Sequence, residues 1–184
     1  MSTTQDFDDV IQRFREIFLN EVRGCIFQED VPELTIGGKA MGPFKTDEKT
    51  HLPNWVIEIL RSHGLVRIAP EDVYESVQKL ENRHRMEKEQ ARLQEFPPSL
   101  YSAVNRSLHR LRSDKTSIDP RTYEDTERLE RLLPVLVETR LSKIVRAAKS
   151  GALHDKKKLM TNEERWLCNE LSVLIDTWRR KAVE

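Results

Sequence analysis

In a chain of 184 residues, the glycines, histidines, cysteines and carboxylates are the first places to look for chemistry. The run VPELTIGGKAMGPFK, residues 31–45, sets Gly37-Gly38 directly before Lys39 and invites comparison with a phosphate-cradling loop. Such a loop needs a glycine five residues ahead of the Gly-Lys pair and a hydroxyl after it, so that backbone amides wrap the phosphates and the hydroxyl holds magnesium. Glu33 and Ala40 stand in those places, which sets nucleotide binding aside. The alternating runs Glu33-Leu34-Thr35-Ile36 and Lys39-Ala40-Met41 instead predict a hairpin, because a Gly-Gly pair supplies the positive φ angles of a tight turn. His51, His63, His84, His109 and His154 are scattered, with no partner at zinc-site spacing. Cys25 and Cys168 lie too far apart for a zinc finger and read as two reduced thiols. Neither a Gly-x-Ser-x-Gly elbow nor a Cys-His signature is present. Carboxylates are interleaved with basic residues, as in Glu127-Arg128-Leu129-Glu130-Arg131, the pattern of helix-surface pairing. The expectation is a non-enzyme with no catalytic, cofactor-binding or metal-binding residues.

Arg140 is the exception to this solvated charge. At about 100° per residue, Leu133, Leu136, Val137, Leu141 and Ile144 fall on one helical stripe, and Arg140 lies inside it with Lys143 at its edge. A buried guanidinium must be paired, because a lone buried charge costs several kcal/mol. Arg140 therefore either meets a carboxylate, on the last helix or on another subunit, or snorkels its head group to water. The window from Arg140 to Lys158 also holds Lys143, Arg146, Lys149, Lys156, Lys157 and Lys158 against Asp155 alone. It is the one strongly basic segment. It could meet phosphates, but no aromatic residue is interleaved for base stacking.

The elements that must position these residues follow from periodicity and punctuation. Thirty-one basic and 31 acidic residues balance to zero, so no global charge pushes the chain toward nucleic acid or an acidic membrane. No apolar run reaches the ~20 residues of a membrane span, and the acidic start MSTTQDFDD is unlike a signal peptide; a cytoplasmic chain is expected. Phe7, Val10, Ile11, Phe14, Ile17 and Phe18 predict an amphipathic helix from Asp6 to about Val22, with Gly24 as its stop. Short apolar runs from Cys25 to Ile68 predict a small strand-rich module. Gly42-Pro43 marks a turn in it, and Pro53 leads a short helix through Trp55 that stops at Gly64. A long charged helix is expected over 71–93, with Val73, Val77 and Leu80 as a narrow seam and 81–89 as a solvated face or a bridge between modules.

Phe96-Pro97-Pro98 breaks that helix, another spans 99–111, and 113–119 is a polar connector. Asp119-Pro120 then opens a helix to Ser150, with Pro134 expected to kink it or lower its early stability and Gly151 as its stop. In the last helix, Thr161 and Glu164 form a capping box, and Leu167, Leu171, Leu174 and Trp178 line one face. Trp55, Trp166 and Trp178 read as core or subunit-interface residues. The fold class expected is α+β, mainly α, in three parts: a helical arm over 1–23, a small β-rich domain over 24–68, and an all-α bundle over 69–184.

Taken in order, these pieces resemble a GINS DNA-replication subunit. EDVPELTIGGKAMGPFKTDEKTHLPNWVIEILRSHGLVRI resembles the small B domain of that family, with its GPF turn and proline-led, tryptophan-bearing helix. PEDVYESVQKLENRHRMEKE and FPPSLYSAVNRSL resemble the linker and early helices of the helical A domain. LPVLVETRLSKIVRAAKSG and LMTNEERWLCNELSVLIDTW resemble its last two helices. There an arginine followed three residues on by a lysine marks the family pattern, at Arg140 and Lys143 here. The B-then-A order resembles the archaeal subunit equivalent to the second and third eukaryotic subunits, and the helix from Asp6 to Val22 departs from that pattern.

The resemblance implies a non-catalytic scaffold at the replication fork. It would form a 2:2 heterotetramer with a sister subunit of A-then-B order and bind the MCM helicase with a RecJ-like partner. Primase or DNA polymerase are further candidate partners, and direct DNA contact would be weak or absent. The interface residues implied are Arg140, Lys143, Leu133, Leu141, Ile144, Trp166, Leu171 and Trp178, with Gly37, Gly38, Gly42, Pro43, Phe44 and Trp55 as turn and core of the B domain. The competing class is a small DNA-binding regulator that uses the Gly37-Gly38 hairpin as a wing and the Arg140–Lys158 segment on phosphates.

Overall fold

The computed structural model describes residues 3–113, 120–151 and 156–184, so the predicted connector after Ser113 and the Asp119 cap lie outside the described residues. The protein is mixed α+β and mainly helical, and it divides into two compact units, 1–73 and 74–184.

The first unit holds α1 (Thr3–Asn20), β1 (Val22–Phe27), the hairpin β2 (Leu34–Ile36) and β3 (Lys39–Met41), β4 (Lys49–Pro53), α2 (Asn54–Ser62) and β5 (Val66–Ile68). An antiparallel sheet of order β4-β1-β5 carries the unit, with Cys25 paired to Thr50 on one side and to Ile68 on the other. Its buried face, Cys25, Phe27, Leu52 and Val66, packs on Val56, Ile57 and Leu60 of α2. The hairpin forms at Gly37 and Gly38, whose φ of 58° and 78° are the two positive values that a twist-matched two-residue turn requires. Beyond the hairpin, Gly42 takes φ 101° ahead of a cis Pro43. Phe44 then turns inward and stacks on Phe27 at 4.2 Å between ring centroids.

Gly24 departs from its predicted role. It does not stop α1, which ends at Asn20, but sits inside β1. Its missing side chain makes room for Asp72, whose Oδ2 accepts a hydrogen bond from the Gly24 amide at 2.6 Å. A Cβ there would stand 2.5 Å from that oxygen and 3.2 Å from the Ala69 Cβ. Arg23 beside it is buried, donates to the Asp72 carbonyl at 2.6 Å and faces the Phe18 ring.

The second unit is all helical: α3 (Val77–Glu89), α4 (Leu100–Ser113), α5 (Pro120–Ser150), a 3-10 turn (Lys157–Leu159) and α6 (Asn162–Lys181). The charged helix is shorter than 71–93, because Ser76 caps it by accepting from the Lys79 amide. Pro134 lies within α5, which runs unbroken past it, and Gly151 with φ 65° follows the end of α5. Two apolar clusters form the unit's interior. One gathers Leu80, Phe96, Leu100, Val104, Leu129 and Leu136; the other gathers Leu93, Ile144, Ala147, Met160 and Cys168. No described helix is long and apolar enough to cross a membrane.

Two consequences are measurable. Gly24→Ala should displace Asp72 from the β1 amide and lower stability by about 1–2 kcal/mol in urea unfolding. Burial pushes the Cys25 thiol up to about 11, so folding favours its protonated form. That contribution is complete below the unfolded thiol value of about 8.5 and is lost as pH rises toward the folded one. Native Cys25 should therefore resist thiol reagents at mildly alkaline pH and label on unfolding; prompt native labelling would contradict its placement.

Candidate functional site

Arg140 is fully buried, with 0% exposure, so the snorkelling alternative fails. It sits on the inner stripe of α5 between Leu136, which belongs to the first apolar cluster, and Ile144, which belongs to the second. A guanidinium has five N–H donors in a fixed plane, and burial without partners for all of them is costly. Here each is met. Nε donates to Glu164 Oε1 at 2.8 Å, and Nη2 donates to Glu164 Oε2 at 2.5 Å, a fork-on-fork pair. Nη1 donates to Glu87 Oε2 at 3.0 Å and to the Gln94 carbonyl at 2.8 Å. The remaining Nη2 donor meets the Leu159 carbonyl at 2.9 Å. The Phe96 ring lies under the guanidinium, 4.0 Å from its centroid to Cζ.

Lys143, one turn on from Arg140, reaches the same carboxylate from the other side. Its Nζ stands 2.7 Å from Glu87 Oε1 and donates to the carbonyls of Glu87, Gln90 (2.7 Å) and Arg92 (3.2 Å). The arginine-then-lysine spacing thus puts both cations on Glu87, and the cluster of two cations and two carboxylates is electrically balanced. Burial favours a neutral guanidinium, but the hydrogen bonds and charge of Glu164, with those of Glu87, outweigh it and hold the Arg140 pKa above its ordinary value.

The carboxylates are set by local structure. Glu164 is the third residue of α6 and closes the capping box with Thr161: its carboxylate accepts from the Thr161 amide at 3.0 Å, and the Thr161 hydroxyl accepts from the Glu164 amide at 3.2 Å. The same carboxylate accepts the Tyr101 hydroxyl at 2.7 Å, and burial together with the Glu164 charge drives that phenol far above its ordinary pKa. Glu87 overturns the expectation of a solvated face over 81–89. It lies seven residues after Leu80, two turns along the same side of α3, and is fully buried. The polar stretch concealed it because a buried carboxylate and a solvated one have the same one-letter code.

The other predicted residues fall into place around this cluster. Leu133 packs on the first apolar cluster and Leu171 on the second, Ile144 is buried, and Leu141 and Trp166 are half-buried. Trp178 is 69% exposed and Leu174 65%, so the far end of the predicted α6 face meets no apolar partner within the described chain. In the first unit Trp55 is exposed on one edge, and Gly37, Gly38, Gly42, Pro43 and Phe44 build the hairpin and the turn after it. Among the described residues no group of three or more His, Cys, Asp or Glu could hold a metal. No protein-family model matches the chain, and no curated protein matches it.

With every donor satisfied and no open space at its head group, the Arg140 cluster acts as a clamp. Its Nη1 and Nη2 hold the backbone at Gln94 and Leu159, while the carboxylates bring in α3 and α6. Arg140→Met should cost about 3–5 kcal/mol in denaturant unfolding, because two carboxylates lose their shared cation. Arg140→Lys should recover less than half of that, since one ammonium cannot span the planar set of acceptors. Full recovery by lysine would show that charge alone matters.

Proposed function

We propose that this chain is a non-catalytic scaffold subunit of a GINS-type complex at the DNA replication fork. In this reading the first unit is the B domain and the second the A domain. It assembles 2:2 with a sister subunit of A-then-B order and engages the MCM helicase together with a RecJ-like partner. The observation that carries the reading is where the apolar surface lies. Val135 and Val137 of α5, and Val173, Leu174 and Trp178 of α6, are large apolar side chains left exposed on the same two helices whose inner faces hold Arg140 and Glu164. Such surface is usual where a subunit buries part of itself against others. The family's arginine and lysine positions, Arg140 and Lys143, have a definite task in the second unit as joint partners of Glu87.

The competing reading, a DNA-binding regulator, loses two of its cations to that task, since Arg140 and Lys143 are committed to Glu87 and Glu164. Its proposed wing, β2 and β3, has three residues in each strand and one basic side chain, Lys39.

Light scattering on size-exclusion chromatography of the chain co-expressed with a sister subunit from the same genome tests the proposal. A 2:2 mass is expected. Leu174→Glu with Trp178→Glu should abolish or weaken assembly while changing intrinsic stability by less than about 1 kcal/mol, since both side chains are exposed. A monodisperse monomer that ignores the sister subunit would sink the assignment.

A further inference from the structure

Beside the Arg140 clamp, the second unit has an open cleft of about 530 Å³. Four cationic side chains line it: Arg92, Lys143, Arg146 and Lys156. Lys143 is neutralised by Glu87 and held by backbone carbonyls. The other three stand differently. Among the described residues, no carboxylate lies within ion-pair range of Arg92, Arg146 or Lys156. Elsewhere on this unit arginines are answered locally, as with Arg112 on Glu130 at 2.6 Å and Arg128 on Glu81 at 2.7 Å. Three unanswered cations around one concavity focus a positive field into it.

The remaining lining is aliphatic. Ala91, Leu93 and Leu159 contribute to the wall, and Leu93 is rooted in the second apolar cluster with Ile144 and Met160. No aromatic ring lines the cleft, so a nucleic-acid base would find no stacking surface there. A phosphate chain would satisfy the cations and leave the aliphatic wall unused. A peptide can use both, with carboxylates paired to the two guanidiniums and the ammonium and an aliphatic side chain set between them.

We propose that this cleft docks an acidic segment of a partner protein, in which aliphatic residues alternate with glutamate or aspartate. The aliphatic side chain covers Leu93 and Leu159, and the carboxylates pair with Arg92, Arg146 and Lys156. The proposal stands on the cleft's own geometry and charge. It does not depend on the replication assignment, and its residues are separate from the exposed apolar faces of α5 and α6.

The test is fluorescence anisotropy with the full chain, in the oligomeric state in which it purifies, and a short labelled peptide alternating glutamate and leucine. Arg146→Glu with Lys156→Glu should weaken binding by about tenfold or more, through loss and reversal of charge at the rim. Lys149→Glu, on the same helix but outside the cleft, should change it by less than about twofold. A peptide with serine in place of leucine should bind several-fold more weakly if the aliphatic wall is used. Thermal melts matched to the unmodified chain keep the charge-reversal result interpretable, and Arg92→Gln with Arg146→Gln provides a milder second variant.

Three results would overturn the proposal. They are no saturable peptide binding, equal loss in the Lys149 variant, or an oligodeoxythymidine probe that binds more tightly than the peptide and is lost in the same cleft variants. The last would assign the cleft to phosphates. All of these outcomes are independent of the 2:2 mass, so failure here and failure of the scaffold reading are distinguishable.

Discussion

One buried guanidinium sets the terms for the helical unit. Arg140 has no access to water, and its five N–H groups need five acceptors in a single plane. They come from α3, from the segment between α3 and α4, from the 3-10 turn, and from the first turn of α6. A shift of any of these by one residue would break at least one bond and leave a buried polar group unmet. The apolar clusters on either side tolerate small slips far better, because apolar contact has little directionality. Buried ion pairs add little net stability over well-packed apolar residues, so the contribution of this one is register. It decides which face of α3 and which turn of α6 meet α5.

That constraint also distributes polarity across the helices in an unusual way. α5 turns Arg140 inward and leaves Val135 and Val137 outside; α6 turns Glu164 inward and leaves Leu174 and Trp178 outside. Charge sits in the interior of the unit and apolar surface on its exterior. An isolated domain gains nothing from such an arrangement, whereas a subunit gains an apolar surface to bury against a neighbour while an internal salt-bridge cluster fixes its fold.

The first unit solves its packing by different means. Its sheet is small, and two close approaches complete it: the Asp72 carboxylate against the bare backbone of Gly24, and the Phe44 ring stacked on Phe27. Both connect the sheet to segments outside it, one following β5 and one following the hairpin. The paired glycines of the hairpin perform a conformational task and make no contact that a nucleotide could use.

Local signals were legible in the sequence because their physics is local. The Gly37-Gly38 turn, the Pro53-led helix ending at Gly64, the Thr161–Glu164 capping box and the inward position of Arg140 all follow from neighbours within a few residues. The end of α1 and the start of α3 were misplaced because Gly24 and the run 71–76 answer to a distant partner and a local cap in ways that periodicity does not encode. The role of Glu87 was hidden for a stronger reason. In a helix rich in Glu, Arg and Lys, burial of one carboxylate depends on a cation 53 positions away arriving at the same place. The sequence by itself determined that Arg140 lies on an apolar stripe and must find an anion. Only the tertiary structure decided that Glu87 and Glu164 share it, because that choice depends on how three helices cross in space.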